Sequence, residues 1–132
     1  MENSHHPKQS GRILLAEDNF YTIEGLVDYL TYLGYEVYVA IDGERVVQQA
    51  AEINPDLIII DIQLPKRDGL EAIRLIRSDF AIKDVPIIAL TAMTMPGDRE
   101  RCLAAGASEF IRKPFKIQQV ADIFRQFGLL KD

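Results

Sequence analysis

From Gly11 onward, short apolar runs alternate with segments whose apolar residues recur every three or four positions. Arg12–Ala16 (RILLA), Val37–Ala40, Leu57–Asp61, Pro86–Thr91 (PIIALT) and Glu109–Arg112 read as five strands. The segments between and after them read as helices. Tyr21–Leu33 puts Ile23, Val27, Leu30 and Leu33 on one stripe, and Glu44–Ile53 does the same with Val46, Ala50 and Ile53. Leu70–Arg77 carries Ile73 and Ile76, Asp98–Ala105 follows, and Ile117–Phe127 aligns Ile117, Val120, Phe124 and Phe127. Gly34 and Gly106 mark helix stops. Asn54-Pro55 ends the second helix, because the residue before proline avoids the helical region.

A strict strand–helix alternation implies a parallel sheet with helices on both faces. The first, third and fourth strands are nearly continuous apolar runs, as strands buried on both faces must be. The second (EVYVA) and fifth (EFIR) are shorter or more polar, which suits the rims. That grading predicts a flavodoxin-like (βα)₅ fold of order 2-1-3-4-5. Residues 1–10 form a polar leader expected to be disordered, with His5 and His6 too few to make a metal site; residues 11–132 form one domain. With so little chain on either side, no separate output domain is expected.

Composition narrows the function. Fifteen basic against 20 acidic side chains give a net charge of −5 with no basic block, so neither nucleic acid nor an anionic membrane is the expected partner. No apolar run approaches a bilayer span and the N-terminus lacks a signal peptide's apolar segment. The lone cysteine, Cys102, excludes an internal disulfide and reads as a small buried hydrophobe. A cytoplasmic location is the expectation that results.

The chemistry collects where ligands bind in such sheets, beyond the carboxyl ends of the strands and at the reversal of strand order. The first strand ends in Glu17-Asp18, the third in Asp61, the fourth in Thr91-Ala92 and the fifth in Lys113-Pro114. Three carboxylates on neighbouring strand ends repel one another unless a cation or a proton intervenes. Oxygen donors without histidine or cysteine suit a hard ion, Mg²⁺ best of all. Lys113 lies two strands from Asp61, at ~4.8 Å per strand a gap its side chain can largely bridge. Carboxylates, a divalent cation, the Thr91 hydroxyl and an ammonium converging on one pocket make a phosphoryl site. Such a site either binds a phosphate or uses Asp61 as the nucleophile of an aspartyl-phosphate; the small Ala92 keeps the approach open and favours the second.

Taken in order, Glu17-Asp18-Asn19, Asp61, Leu64-Pro65 with Asp68-Gly69, Thr91-Ala92 and Lys113-Pro114-Phe115 resemble the receiver domain of two-component response regulators over roughly residues 11–129. Any one of these motifs is weak; five in register are strong. The resemblance implies that Asp61 accepts a phosphoryl group from a phosphohistidine on a sensor histidine kinase or a phosphotransfer protein. It further implies that Asp18 and Asp61 ligate Mg²⁺, with Glu17 acting mostly through water and Gln63 through its backbone carbonyl. Thr91 and Lys113 would hold phosphoryl oxygens, and the Lys113–Pro114 peptide would be cis. Phe110 takes the position of the family's switch aromatic, paired with Thr91, but as Phe where Tyr is common. The chain would then be a signalling phospho-acceptor rather than an enzyme. Its output would pass to a downstream protein through the fourth helix, fifth strand and fifth helix, with Arg99, Arg101, Arg112, Lys116 and Gln119.

Rival readings have their own signatures. A haloacid-dehalogenase-like phosphohydrolase carries a second aspartate two residues past its nucleophile, where this chain has Gln63. A flavodoxin-like carrier needs a Ser/Thr/Gly-rich phosphate loop after the first strand, which is missing. A degenerate receiver serving only as an interaction module would not need intact acceptor and metal residues. Met93 and Met95 read as packing or partner contacts.

Overall fold

The computed structural model describes residues 11–92 and 95–130. Among these, β1 (Arg12–Ala16), β2 (Glu36–Ala40), β3 (Leu57–Asp61), β4 (Ile87–Thr91) and β5 (Glu109–Arg112) alternate with α1 (Phe20–Leu33), α2 (Gly43–Ile53), α3 (Gly69–Ser78), α4 (Asp98–Ala105) and α5 (Ile117–Gln126). The strands form one parallel sheet in the order β2-β1-β3-β4-β5, the order the grading of apolarity predicted. The leader with His5 and His6, and Met93, lie outside the described residues.

β3 and β4 are buried along their whole length, whereas the edge strands β2 and β5 are only partly so. Alternating side chains sort the core into two layers. Leu14, Ile58, Ile60, Ile87 and Ala89 meet Val46 and Ala50 of α2, Ile73 and Ile76 of α3 and Cys102 of α4. Ile13, Leu15, Leu57, Ile59, Ile88 and Leu90 meet Leu26 and Leu30 of α1 and Val120 and Phe124 of α5. The sheet therefore carries α1 and α5 on one face and the other three helices on the opposite one.

Element ends differ from the predicted ones where capping decides them. α1 starts at Phe20, one residue early, because Asn19 Oδ1 accepts from Thr22 N–H at 3.0 Å. Asp42 and Asp68 cap α2 and α3 in the same way, from Arg45 and Glu71 N–H at 2.8 and 2.9 Å, so each also starts a residue early. α3 runs on to Ser78, and α5 stops at Gln126 with Phe127 as its cap. β2 begins at Glu36, whose N–H donates to Gly11 O at 2.9 Å. β4 begins at Ile87, since Pro86 has no N–H to pair, although its carbonyl accepts from Ile58 at 2.9 Å. Burial on α1 centres on Leu26 and Leu30 instead of the Ile23–Val27 edge, and Ile117 of α5 is exposed.

Candidate functional site

Ladder hydrogen bonds continue past the strand ends and hold the site's backbone. Glu17 N–H donates to Ala40 O (3.0 Å), Ile62 N–H to Leu90 O (2.9 Å) and Lys113 N–H to Thr91 O (2.8 Å). Every residue predicted for the site from these strand ends is thereby brought to one edge of the sheet. Glu17 is wholly buried, Asp61 and Thr91 are 5% and 6% exposed, and Asp18 faces solvent. Lys113 precedes a cis peptide to Pro114, as the resemblance implied.

Lys113 bridges the two buried carboxylates. Its Nζ lies 2.5 Å from Asp61 Oδ2 and 3.0 Å from Glu17 Oε1. Burial lowers the affinity of this ammonium for its proton, but the hydrogen bond to Asp61, the ion pair with Glu17 and the charges of both outweigh burial and raise its pKa. Glu17 moves the same way for a different reason. Burial, aided by the charge of Asp61, raises its carboxyl above the ordinary glutamate range against the lowering effect of its ion pair with Lys113 and of the hydrogen bond it accepts from the Asn19 N–H.

One ammonium does not balance this cluster. Glu17, Asp18 and Asp61 each place one carboxylate oxygen within 4.8 Å of the others. Glu17 Oε1, in spite of its ion pair, has no aligned hydrogen-bond donor and no exposure to water. A buried, incompletely satisfied oxygen among clustered oxygen donors is the environment a hard divalent cation fits. The residues present could hold Mg²⁺.

The loop after β3 is folded tightly around Asp61. Asp61 Oδ1 accepts from Gln63 N–H at 2.8 Å, and Gly69 N–H donates to Ile62 O at 2.7 Å. A Cβ on Gly69 would stand 2.4 Å from Asp61 O, so the Asp68-Gly69 pair supplies both the cap of α3 and the close approach of its first turn to β3.

By strand alternation Thr91 shares the α2–α4 side of the sheet with Ile87 and Ala89, and Phe110, opposite Ala89, packs on that side too. The guanidinium of Arg99 lies 5.4 Å from the centre of the Phe110 ring, a cation–π contact that helical periodicity gave no means of foreseeing. Cys102 is buried as expected, and burial raises its thiol pKa. Sequence reasoning missed an apolar groove of about 320 Å³ lined by Tyr21, Thr22, Gly25, Leu26, Pro114, Phe115 and Ile117. Its signal was present in the exposed pair Phe20-Tyr21 directly after Glu17-Asp18-Asn19.

Residues 13–125 match the model of the response regulator receiver domain. The chain belongs to that family. This receiver is 32% identical over 115 residues to the polar-differentiation response regulator DivK of Brucella ovis, covering 87% of this chain and 94% of DivK. It is 40% identical over 119 residues to the sensory transduction protein BceR of Bacillus subtilis, but spans only half of that protein's length. Among solved structures it superposes on the Vibrio cholerae chemotaxis regulator CheY4 with a TM-score of 0.83 at 27% identity, over 89% of this chain and 98% of that one. The receiver domain of a Pseudomonas aeruginosa sensor histidine kinase, solved with magnesium coordinated in its active-site cleft, is 40% identical with a TM-score of 0.79, over 90% and 98% of the two chains. A receiver domain is a two-component signalling module, and the Glu17–Asp18–Asp61 cluster fits its magnesium and phosphorylation site. Phosphohydrolase and flavin-carrier families are thereby replaced as readings of the same fold. No helix among the described residues is long and apolar enough to cross a membrane.

Proposed function

We propose that the protein accepts a phosphoryl group on Asp61 from the phosphohistidine of a sensor kinase or phosphotransfer protein, in a Mg²⁺-dependent reaction. The observation that carries this reading is the Lys113 ammonium joined to Asp61 and Glu17 at 2.5 and 3.0 Å, inside a carboxylate cluster it only partly neutralises. An Asp61 carboxylate oxygen forms the new bond to phosphorus as the P–N bond of the donor breaks. The departing imidazole nitrogen keeps the bonding pair and takes up a proton. Asp18, Asp61 and the Gln63 carbonyl would hold Mg²⁺, with Glu17 acting through water. When bound, the ion neutralises charge on the phosphoryl oxygens. Lys113 would do the same with its ammonium, and the Thr91 hydroxyl would bind a further oxygen. Little else is required, because phosphoryl transfer is catalysed mainly by positioning and charge neutralisation.

Signalling then follows from Thr91. Drawn toward the new phosphoryl oxygens, it leaves space on the face it shares with Phe110, whose ring turns inward and releases Arg99. The downstream partner would read this on α4, β5 and α5, where Arg99, Arg101, Arg112, Lys116 and Gln119 are exposed. The phosphodonor protein approaches over the groove between α1 and the Pro114–Phe115 turn that follows Lys113. A cytoplasmic location accords with such partners.

The test is intact-mass measurement after incubation with Mg²⁺ and acetyl phosphate. A gain of one phosphoryl group that disappears in Asp61→Asn is expected. No gain, or one that survives the substitution, would refute the reading.

A further inference from the structure

The loop that carries Gln63 is held in place from outside the site. Pro65 O accepts two hydrogen bonds, one from Arg67 N–H at 2.7 Å and one from Gly43 N–H, the first residue of α2, at 3.1 Å. The bond to Arg67 spans a single residue, Lys66, whose φ is 70°. That combination marks a classic γ-turn, a rare and strained conformation for a residue other than glycine. Strain of this kind persists only where surrounding contacts over-determine the backbone.

α2 supplies those contacts. The Arg67 carbonyl oxygen approaches Gly43 so closely that a Cβ there would sit 1.8 Å from it. Gly43 does not have a left-handed φ, so the glycine answers to space and not to backbone conformation. Immediately before it, Asp42 is 7% exposed, and its carboxylate caps α2 and lies 3.8 Å from Lys66 Nζ. The base of the loop is closed independently, by Gly69 N–H on Ile62 O. A strained turn is thus pinned at its tip by one helix and at its base by another, with Gln63 and Leu64 between the anchors at Ile62 and Pro65.

We infer that Asp42-Gly43 is a positioning element of the phosphoryl site: it pins the strained Lys66 turn and so fixes the Gln63 carbonyl for the cation. This rests on the Mg²⁺ reading proposed above. Neither residue touches the reacting atoms. Their effect should therefore fall on metal affinity and be overcome by metal concentration.

Calorimetric titration with Mg²⁺ well below the thermal midpoint is the experiment, with phosphorylation by acetyl phosphate at saturating Mg²⁺ as its companion. Gly43→Ala should weaken Mg²⁺ about tenfold, the usual size of a supporting-residue effect on a metal site, while saturating Mg²⁺ restores phosphorylation. Lys66→Gly should keep or raise the thermal midpoint, since glycine adopts positive φ without strain, yet still weaken Mg²⁺ several-fold because the turn is no longer stiff. A residue with a merely structural role would not separate stability from affinity in this way. Should Gly43→Ala fail to fold, Lys66→Gly and the charge-neutral cap Asp42→Asn decide the matter. Wild-type Mg²⁺ affinity in the folded variants would overturn the inference and leave the Asp61 reading intact. A wild-type chain that neither binds Mg²⁺ nor gains phosphate would overturn both.

Discussion

The two edges of the sheet both bury charge, and they do it in opposite ways. At the amino-terminal edge, Arg77 of α3 donates to Gly106 O (2.9 Å), Lys83 O (2.9 Å), Val85 O (2.5 Å) and Ser108 Oγ (3.2 Å). Ser108 Oγ in turn accepts from Ile87 N–H at 3.0 Å, so the guanidinium stitches the starts of β4 and β5 to α3. A Cβ on Gly106 would meet Arg77 Cγ at 2.7 Å, which shows how tightly this cluster is closed. At the carboxyl edge, Lys113 bridges two of three clustered carboxylates and one buried oxygen lacks an aligned donor. A half-buried charge held by four hydrogen bonds is a structural staple. One whose bonds are incomplete is prepared for a ligand.

The sharpest way to break this distinction is to remove one cation from each edge and ask whether Mg²⁺ repairs the damage. Lys113→Met leaves two buried carboxylates facing each other. Without metal it should cost about 3 kcal/mol, the low end for an orphaned buried pair because Lys113 is partly exposed. Mg²⁺ should return most of that loss. Arg77→Met strands several backbone carbonyls and should cost about 2 kcal/mol, which Mg²⁺ leaves untouched. Urea denaturation with and without Mg²⁺ measures both, and equal rescue of the two variants would erase the difference between the edges.

A smaller effect should appear in the unsubstituted protein. With its carboxyl above the ordinary glutamate range, Glu17 keeps a proton in the folded chain that the unfolded chain has already released. Metal-free stability should therefore decline as pH rises from the ordinary glutamate pKa through the raised folded one. Mg²⁺ at ten times its dissociation constant should add about 1.4 kcal/mol and flatten that decline, with binding weaker on the acid side. Thermal melts across this window would show it; a decline that Mg²⁺ leaves unchanged would place its origin outside the cluster.

The least effect belongs to α4, between the two edges. Arg99→Ala removes the cation–π contact to Phe110 and should cost about 0.5 kcal/mol. If the contact holds the ring outward, the same variant should phosphorylate slightly faster with acetyl phosphate. An unchanged rate would leave Arg99 a packing residue.

The fold was legible because each strand's apolarity reflects how many of its faces are covered. β3 and β4 read as unbroken apolar runs and are wholly buried, while β2 and β5 declared themselves as edges. The candidate site residues were legible too, since a fixed strand order leaves only a few strand-end residues for chemistry. What escaped depends on distances that a linear pattern does not contain. In the linear pattern Asp42-Gly43 is only an Asp-Gly turn signal ahead of a helix, and the Arg67 carbonyl pressing on Gly43 gives it another meaning. Arg77 looked like one more basic residue at a helix end, and its four partners come from the loops before β4 and β5. Leu26 was passed over because periodicity defines a stripe but not which edge of it the sheet covers.

Strand parity carries one further consequence, in evolutionary terms. Asp61 falls in step with Leu57 and Ile59, and Thr91 with Ile87 and Ala89, so the direction each side chain takes is set by an odd or even count along five residues. Exchanging one apolar residue for another inside β3 or β4 leaves that count unchanged. Inserting or deleting a single residue inverts it. Descendants of this chain can therefore drift widely in the composition of their strands, but lineages that change a strand's length by one turn Asp61 or Thr91 away from the cluster in a single step.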